Sequence, residues 1–356
     1  MTVHYIRTGL IILLSFLLGV GAFSNNASAN ENSLQSYYIT DMDVSDFGFG
    51  EVNDFVSADI IDGFLDSKTG DMLFQPNKNI TRAEFTKILI NAMGIETNSS
   101  SQIFKDVSPN KWYFDYINTA SSLGIVNGFS PDQFQPGSFI TRGQMAAMIV
   151  RAFEDTIPFP ASVGQIFPDV PSHTRFADEI NKAASLGIIQ GHRDNTFKPG
   201  TLADRVQAVV IMFRALSNET ESSGEENDVA SFVQEFLTNE SEAFSKNISI
   251  EVYNKYTTGF YNAYATDIVR RNNELIDQGY EVTLSSDLTN MKISVEFLTN
   301  RFAEVKVTGT SNYGKFVSPE GKIKEINSTM NNGYYFLKKT EKDGWKIYDQ
   351  YPEESK

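Results

Sequence analysis

The chain has 356 residues, enough for two or three domains, and a formal net charge of −15. This charge argues against broad binding of nucleic acid or anionic membrane surfaces, so no nucleic-acid partner is expected. The sequence contains no cysteine, which excludes disulfides and thiol chemistry.

Residues 1–29 have the pattern of a secretory signal peptide. Arg7 precedes a short apolar core over residues 10–20, and the small residues at 27–29 predict cleavage before Asn30. A membrane anchor is the alternative, but the apolar core is shorter than a span requires and a polar stretch follows it. We therefore expect a secreted protein with no membrane span after cleavage.

Three segments of about 60 residues repeat after the signal peptide. Aligned on their arginines, all three copies carry apolar residues at the i, i+3, i+4 spacing of an amphipathic helix. A shorter helix precedes each long one, and a proline in "FQPG" and "FKPG" forces a loop between the two. Each repeat is thus predicted as helix, loop, helix, with the boundaries 38–97, 103–157 and 166–217.

Each long helix begins with a capping residue followed by an arginine. Thr81 and Thr141 stand in Thr-x-x-Glu/Gln capping boxes, and Asp204 replaces the threonine in the third copy. A helix N-terminus presents free N–H groups to an anion, and arginine adds a two-pronged donor for a carboxylate. Because cations oppose the dipole at this end, three arginines in register favour carboxylate binding over a solvated arginine or an inter-repeat salt bridge. They are Arg82, Arg142 and Arg205.

The pattern F-x-D-V … W … L-G-I-[IV]-x-G … F-x-P … I-T-R-x-[EQ] over residues 38–216 resembles the S-layer homology domain. That family occurs as three tandem copies in bacterial surface proteins. The resemblance implies an all-α pseudo-trimer that closes into a ring with three grooves. It also implies non-covalent anchoring to the cell wall of a Gram-positive-type bacterium, through a secondary cell-wall polysaccharide that carries ketal-linked pyruvate. The pyruvate would supply the carboxylate that the arginines favour.

Further ligand contacts are implied by the resemblance alone. They are a glycine closing "GIxxG", an aspartate in "FxDV" and a tryptophan a few residues on. A simple turn explains each glycine as well, and the tryptophan could belong to the core. On this sequence they fall on Gly63, Gly128 and Gly191, on Asp41, Asp106 and Asp169, and on Trp112, with Phe47 and Arg175-Phe176 near the tryptophan position in the other copies.

The chain changes character beyond the repeats. Residues 218–228 are predicted to form an acidic, flexible linker, and residues 229–356 an α+β domain with helices first and antiparallel strands after them. This order and the tail "DGWKIYDQ" resemble the NTF2-like fold. Five aromatic residues between 253 and 264 are predicted to lie along one helix and to pack on the sheet.

The C-terminal domain has neither histidine nor cysteine, which removes the usual imidazole and thiol catalysts and zinc ligands. No motif indicates a metal or another cofactor. We therefore expect a wall-anchored display protein, not an enzyme. Two alternatives stay open: a wall-anchored hydrolase that uses a carboxylate pair, and a structural S-layer component, which the modest chain length disfavours.

Overall fold

The computed structural model describes residues 34–97, 103–220, 225–246 and 249–353. The predicted signal peptide lies outside these ranges. Among the described residues, no helix combines the length and apolar character needed to span a membrane.

Each repeat folds as a short helix, a loop and a long helix, as the apolar spacing predicts. The long helices contact one another around the shared axis, and most of their residues are buried. The additional residues of the first copy form a small hairpin in its loop. After a 3-10 turn (Leu34–Tyr37), the elements are α1 (Phe49–Ser57), β1 (Phe64–Leu65), β2 (Met72–Leu73), α2 (Arg82–Ala92), α3 (Phe114–Ser122), α4 (Arg142–Phe153), α5 (Ala177–Ser185) and α6 (Arg205–Ser217).

A cycle of three backbone hydrogen bonds closes the repeats into a ring. The Ile80 N–H donates to the Ala203 carbonyl, Ala203 to Ile140, and Ile140 back to Ile80, each over 3.0 Å. These residues stand directly before the three helix caps. The backbone is extended there, so its N–H and C=O groups can form hydrogen bonds with another segment of the chain. The first repeat therefore pairs with the last, as the sequence predicts.

The C-terminal part is an α+β domain with helices before strands. Its strands form two antiparallel sheets, with the orders β3-β6-β7 and β4-β5-β8-β9. The alternation of buried and half-buried residues along β5 and β8 shows one face of the larger sheet on the core. The NTF2-like assignment stays a prediction. The elements are α7 (Glu225–Lys246), α8 (Ile250–Tyr256), α9 (Gly259–Asp277), β3 (Glu281–Asp287), β4 (Lys292–Leu298), β5 (Phe302–Thr308), β6 (Ser311–Val317), β7 (Ile323–Ser328), β8 (Gly333–Thr340) and β9 (Gly344–Pro352).

The described parts of the acidic segment 218–228, residues 218–220 and 225–228, differ from the flexible linker that the sequence predicts. Glu219 is buried, and the Thr220 N–H donates to the Thr156 carbonyl over 3.0 Å. Helix α7 already begins at Glu225, so the last four residues of the segment are helical. Acidic side chains stabilise the first turn of a helix, which explains why this stretch can be helical without an apolar period of its own.

The aromatic run in the C-terminal helices is divided between two cores. The predicted single helix breaks at Thr257, between α8 and α9. All five rings are between 2 and 7% exposed. Phe260 and Tyr264 pack with the core of the repeats. The remaining three pack with the core of the C-terminal domain, and these are Tyr253, Tyr256 and Tyr261.

The C-terminal domain is docked closely on the ring. Gly259 begins α9 with a φ of +56°, and a Cβ at this position would lie 1.9 Å from the Ser57 carbonyl oxygen. The Lys338 ammonium donates to the Ala58 carbonyl, and the Asn53 amide donates to the Tyr351 hydroxyl over 2.9 Å. The two parts of the chain therefore share one continuous packed interface.

Candidate ligand-binding grooves

Each of the three arginines reaches into the next repeat of the ring. Arg82 donates from Nε to the Phe134 carbonyl over 2.9 Å and from Nη2 to the Asn127 carbonyl over 3.0 Å. Arg142 and Arg205 form the same two hydrogen bonds with the next repeat, and for Arg205 the next repeat around the ring is the first one. The acceptors are the carbonyls of Phe197 and Gln190 for Arg142, and of Phe74 and Asp62 for Arg205.

The guanidinium groups are buried and stacked on phenylalanine rings. The arginine residues are between 4 and 7% exposed. Arg82 lies 4.4 Å from the centroid of Phe134, and Arg142 lies 4.5 Å from that of Phe197. Burial lowers the pKa of all three arginines, and that of Arg205 falls to about 10, so each remains a cation at neutral pH. The arginines thus join neighbouring repeats, as one sequence-based alternative held, but through carbonyl oxygens and not through salt bridges.

The helix N-termini do not offer free N–H groups to an anion, so that expectation was wrong. The Arg82 N–H donates to the Ser138 carbonyl over 2.9 Å, and the Ala83 N–H donates to the Pro136 carbonyl over 3.1 Å. The other two long helices show the same pattern. The reason is tertiary: the loop of the next repeat supplies the carbonyls that sequence alone could not place there.

The predicted caps are present. Thr81 forms a complete capping box with Glu84, and Thr141 forms one with Gln144. Asp204 accepts the Gln207 N–H over 2.9 Å. The three caps fix the rotation of the long helices, and with it the direction in which the following arginine points.

The three aspartates hold the loops that receive the arginines. Both carboxylate oxygens of Asp106 accept backbone N–H groups, from Phe134 over 2.8 Å and from Gln135 over 2.7 Å. Asp41 and Asp169 hold their own loops in the same way. Each aspartate therefore positions the carbonyl oxygen onto which an arginine is bound.

Close packing explains the three glycines, most strictly Gly128 and Gly191 and less strictly Gly63. A Cβ on Gly128 would lie 2.3 Å from the Ser130 carbonyl oxygen and 2.6 Å from the Phe104 ring. A Cβ on Gly191 would lie 2.6 Å from the Phe167 ring, and one on Gly63 would lie 3.0 Å from an Ile39 methyl group. The lack of a side chain thus admits the aromatic or aliphatic residue that begins each repeat.

Trp112 is exposed and does not belong to the core. It is 54% exposed and makes an edge-to-face contact with Tyr113. Phe47, at the same position of the first repeat, is 61% exposed. In the third repeat, the residue that follows this position lies beside the N-terminus of α4, since Phe176 would contact a Cβ on Gly143 at 3.6 Å.

The grooves differ in charge. The carboxylates of Glu84, Asp62 and Asp41 act on Arg205 and favour its charged form. Arg82 instead has a second cation, Arg175, close enough to lower its pKa further. The groove of Arg205 is therefore the most acidic of the three, because the first repeat has a glutamate where the others have glutamine.

Some functional contacts were not identified from the sequence. The phenylalanine in each "F-x-P" motif stacks on an arginine, and its repetition beside each proline was the available signal. Gln207 Oε1 lies 3.5 Å from Nη1 of Arg142, a contact that no local pattern indicates.

The geometry defines a closed three-repeat ring with a buried arginine at each junction between repeats, where the family resemblance implies the three grooves. Residues 39–86, 103–146 and 166–209 are three S-layer homology domains. This confirms the family that the sequence indicates.

Similar proteins include enzymes and surface proteins. An endoglucanase of Bacillus sp. (strain KSM-635) is 32% identical over 60% of this chain and 22% of its own length. The surface-layer 125 kDa protein of Lysinibacillus sphaericus is 29% identical over 49% of this chain and 14% of its own. The cellulosome-anchoring protein of Acetivibrio thermocellus is 30% identical over 40% of this chain and 33% of its own. The expected cell-surface class of the protein is confirmed.

This chain spans a third or less of the length of these relatives. Among solved structures, the crystal structure of the intermembrane space region of chloroplast protein ARC6 matches 38% of this chain and 100% of that chain. Its identity is 18% and its TM-score is 0.29, too low to inform the fold.

Proposed function

We propose that the three domains hold this exported protein non-covalently on the cell wall by binding a secondary cell-wall polysaccharide that carries ketal-linked pyruvate. The arrangement of the arginines carries the proposal. Three guanidinium groups stand at equivalent junctions of the ring, each bound to two carbonyl oxygens. Carbonyl oxygens satisfy N–H groups but carry no full negative charge, so an anion is still favoured beside these cations, and most beside those that nearby carboxylates offset least.

The guanidinium groups retain donors for a ligand. Within the described residues, Nη1 of Arg82 makes no hydrogen bond, and Nη1 of Arg142 has only the long 3.5 Å contact with Gln207. A carboxylate at either group would form a charge-assisted hydrogen bond in partly desolvated surroundings, where such bonds are strong. The exposed ring of Trp112 supplies an apolar face of the kind that packs on a sugar.

For the C-terminal domain we propose display without catalysis. Its buried Glu240 accepts hydrogen bonds from Tyr253 over 2.9 Å and from Asn331 over 3.2 Å. Both oxygens are thus engaged within the core, and not across a cleft from a second carboxylate as glycoside hydrolysis requires. Arg301 of the domain contacts the Met93 carbonyl at the C-terminal end of α2, whereas the groove arginines stand at the N-terminal ends of the long helices.

The test uses the mature chain and two preparations of purified cell wall, with and without pyruvyl groups. We expect retention only on the pyruvylated wall, and no release of sugar or peptide during incubation. Equal retention on both walls would contradict recognition of the carboxylate. Turnover that is lost when a single Asp or Glu is changed to its amide would favour the hydrolase.

A further inference from the structure

His192 borders the groove that contains Arg142. It follows Gln190, whose carbonyl accepts Nη2 of Arg142 over 2.9 Å, by two residues in the same loop. The corresponding residue of the first repeat is Phe64, whose ring centroid lies 4.6 Å from the guanidinium carbon of Arg205. His192 therefore stands at the sequence position at which the first repeat places a ring against its arginine.

The backbone of His192 is held in its loop, and the Nε2 atom of its ring lacks a partner among the described residues. The backbone N–H of His192 donates to the Thr196 carbonyl over 2.8 Å, and the backbone N–H of Asn195 donates to the His192 carbonyl over 2.9 Å. The Nε2 atom is also buried. A buried polar atom without a partner costs free energy, and protonation at this atom would add a charge there.

Four charged groups act on this imidazole. Arg142 and Lys198 are positive, and Asp194 and Asp169 are negative. The two carboxylates are already engaged: Asp194 pairs with Lys198 at 3.0 Å, and Asp169 accepts two backbone N–H groups. Burial, followed by the charge of Arg142, lowers the pKa of His192. In the free protein the imidazole is therefore neutral at pH 7.

We propose that His192 is a further anion-sensing residue of the Arg142 groove, which takes up a proton when a carboxylate ligand neutralises the guanidinium. The inference rests on the proposed function of that groove. A bound carboxylate cancels the repulsion from Arg142 and attracts the imidazolium, so binding and protonation favour each other. Affinity in this groove then rises as the pH falls from 8 towards 5. The other two grooves have Phe64 and Phe129 at this position and lack this response.

The direct test is a histidine-specific NMR titration of the mature chain between pH 5 and 8. Beyond the signal peptide the sequence contains only His173 and His192, and His173 is exposed. The probe is a methyl glycoside that carries a pyruvate ketal, with the pyruvate-free glycoside as its control. We expect the pyruvylated probe to raise the titration midpoint of His192 by about one pH unit and to leave that of His173 unchanged. An unmoved His192 midpoint at saturation would overturn the proposal.

Calorimetry at pH 5.5 and pH 8 measures the affinity of the mature chain for the pyruvylated probe. For the Arg142 groove we expect severalfold tighter binding at pH 5.5, up to the limit of about tenfold that one pH unit of linkage sets. His192→Phe, the residue type of the other repeats, should abolish this change, and His173→Phe should retain it. Binding that is carboxylate-dependent but independent of pH would refute only the role of His192. Absence of carboxylate-dependent binding at either pH would refute the proposed function as well.

Discussion

Arg301, in the turn between β4 and β5, forms a salt bridge with Glu219, which follows α6. The Glu219 side chain is fully buried and also accepts the Thr156 hydroxyl over 2.7 Å. Arg301 Nε donates to the Met93 carbonyl over 2.9 Å. Because Met93, Thr156 and Glu219 follow the three long helices, one guanidinium joins all three C-terminal ends, where the helix dipoles favour a cation.

Removing this cation should destabilise the whole chain. Arg301→Ala leaves Glu219 as an unpaired buried charge, which costs roughly 3–5 kcal/mol. Urea denaturation of the mature chain measures the loss of unfolding free energy. The matched control is Arg270→Ala, whose ion pairs with Asp267 and Glu274 are on the surface and should be worth about 1 kcal/mol or less. An Arg301→Ala midpoint equal to that of the control would show that the contact does not hold the domains together.

A methyl group at Gly128 should destabilise the second repeat. Gly128→Ala places a Cβ against Ser130 and Phe104, and overpacking of this kind costs about 1–3 kcal/mol. Gly137→Ala is the control, because no atom lies within 4 Å of its added Cβ. Thermal unfolding of both variants compares them. If the two substitutions have the same effect, close packing is not the reason for glycine at position 128.

The grooves of Arg142 and Arg205 should contribute unequally to binding. Arg142→Ala is expected to weaken binding of a pyruvylated sugar by about 1–3 kcal/mol, the range for a charge-assisted hydrogen bond. Arg205→Ala should weaken it less, because Glu84, Asp62 and Asp41 already offset the charge of Arg205. Isothermal titration measures both affinities. The unfolding midpoint of each variant, measured in parallel, shows whether the substitution also destabilises the ring. A larger loss of affinity for Arg205→Ala than for Arg142→Ala would contradict this ranking.

The stability of the C-terminal domain should fall as the pH rises from 4.5 to about 7. Burial raises the pKa of Glu240 from its ordinary 4.5 to about 7. The folded state therefore holds a proton that the unfolded state releases above pH 4.5, so this stabilisation is complete below pH 4.5 and is lost by about pH 7. Glu240→Gln cannot ionise, so this variant should not lose stability over this pH range.

Denaturation at pH 5 and pH 8 checks the effect of Glu240. The stability of Glu240→Gln relative to the parent should rise between these pH values by on the order of 3 kcal/mol. Glu242→Gln, an exposed position on the same helix, is the control. A pH profile for Glu240→Gln that runs parallel to that of the parent would show that Glu240 is already ionised in the folded protein.

The sequence by itself determined the repeats, the six repeat helices and the caps. These features are local: apolar spacing fixes the buried face of a helix, and a cap such as Thr81 with Glu84 satisfies its own helix end. It also determined the order of helices and strands in the C-terminal domain, since the period of the apolar residues changes from helical to alternating there. The identity of the three arginines as a set followed from their register.

Only the tertiary structure decided what those arginines bind within the protein and how the two parts of the chain meet. The carbonyls that hold Arg205 belong to residues more than 130 positions earlier, and no local pattern predicts that separation. For the same reason, the segment that contains Glu219 was predicted to be flexible. An acidic stretch without an apolar period is indistinguishable from a linker until a distant cation such as Arg301 is brought beside it.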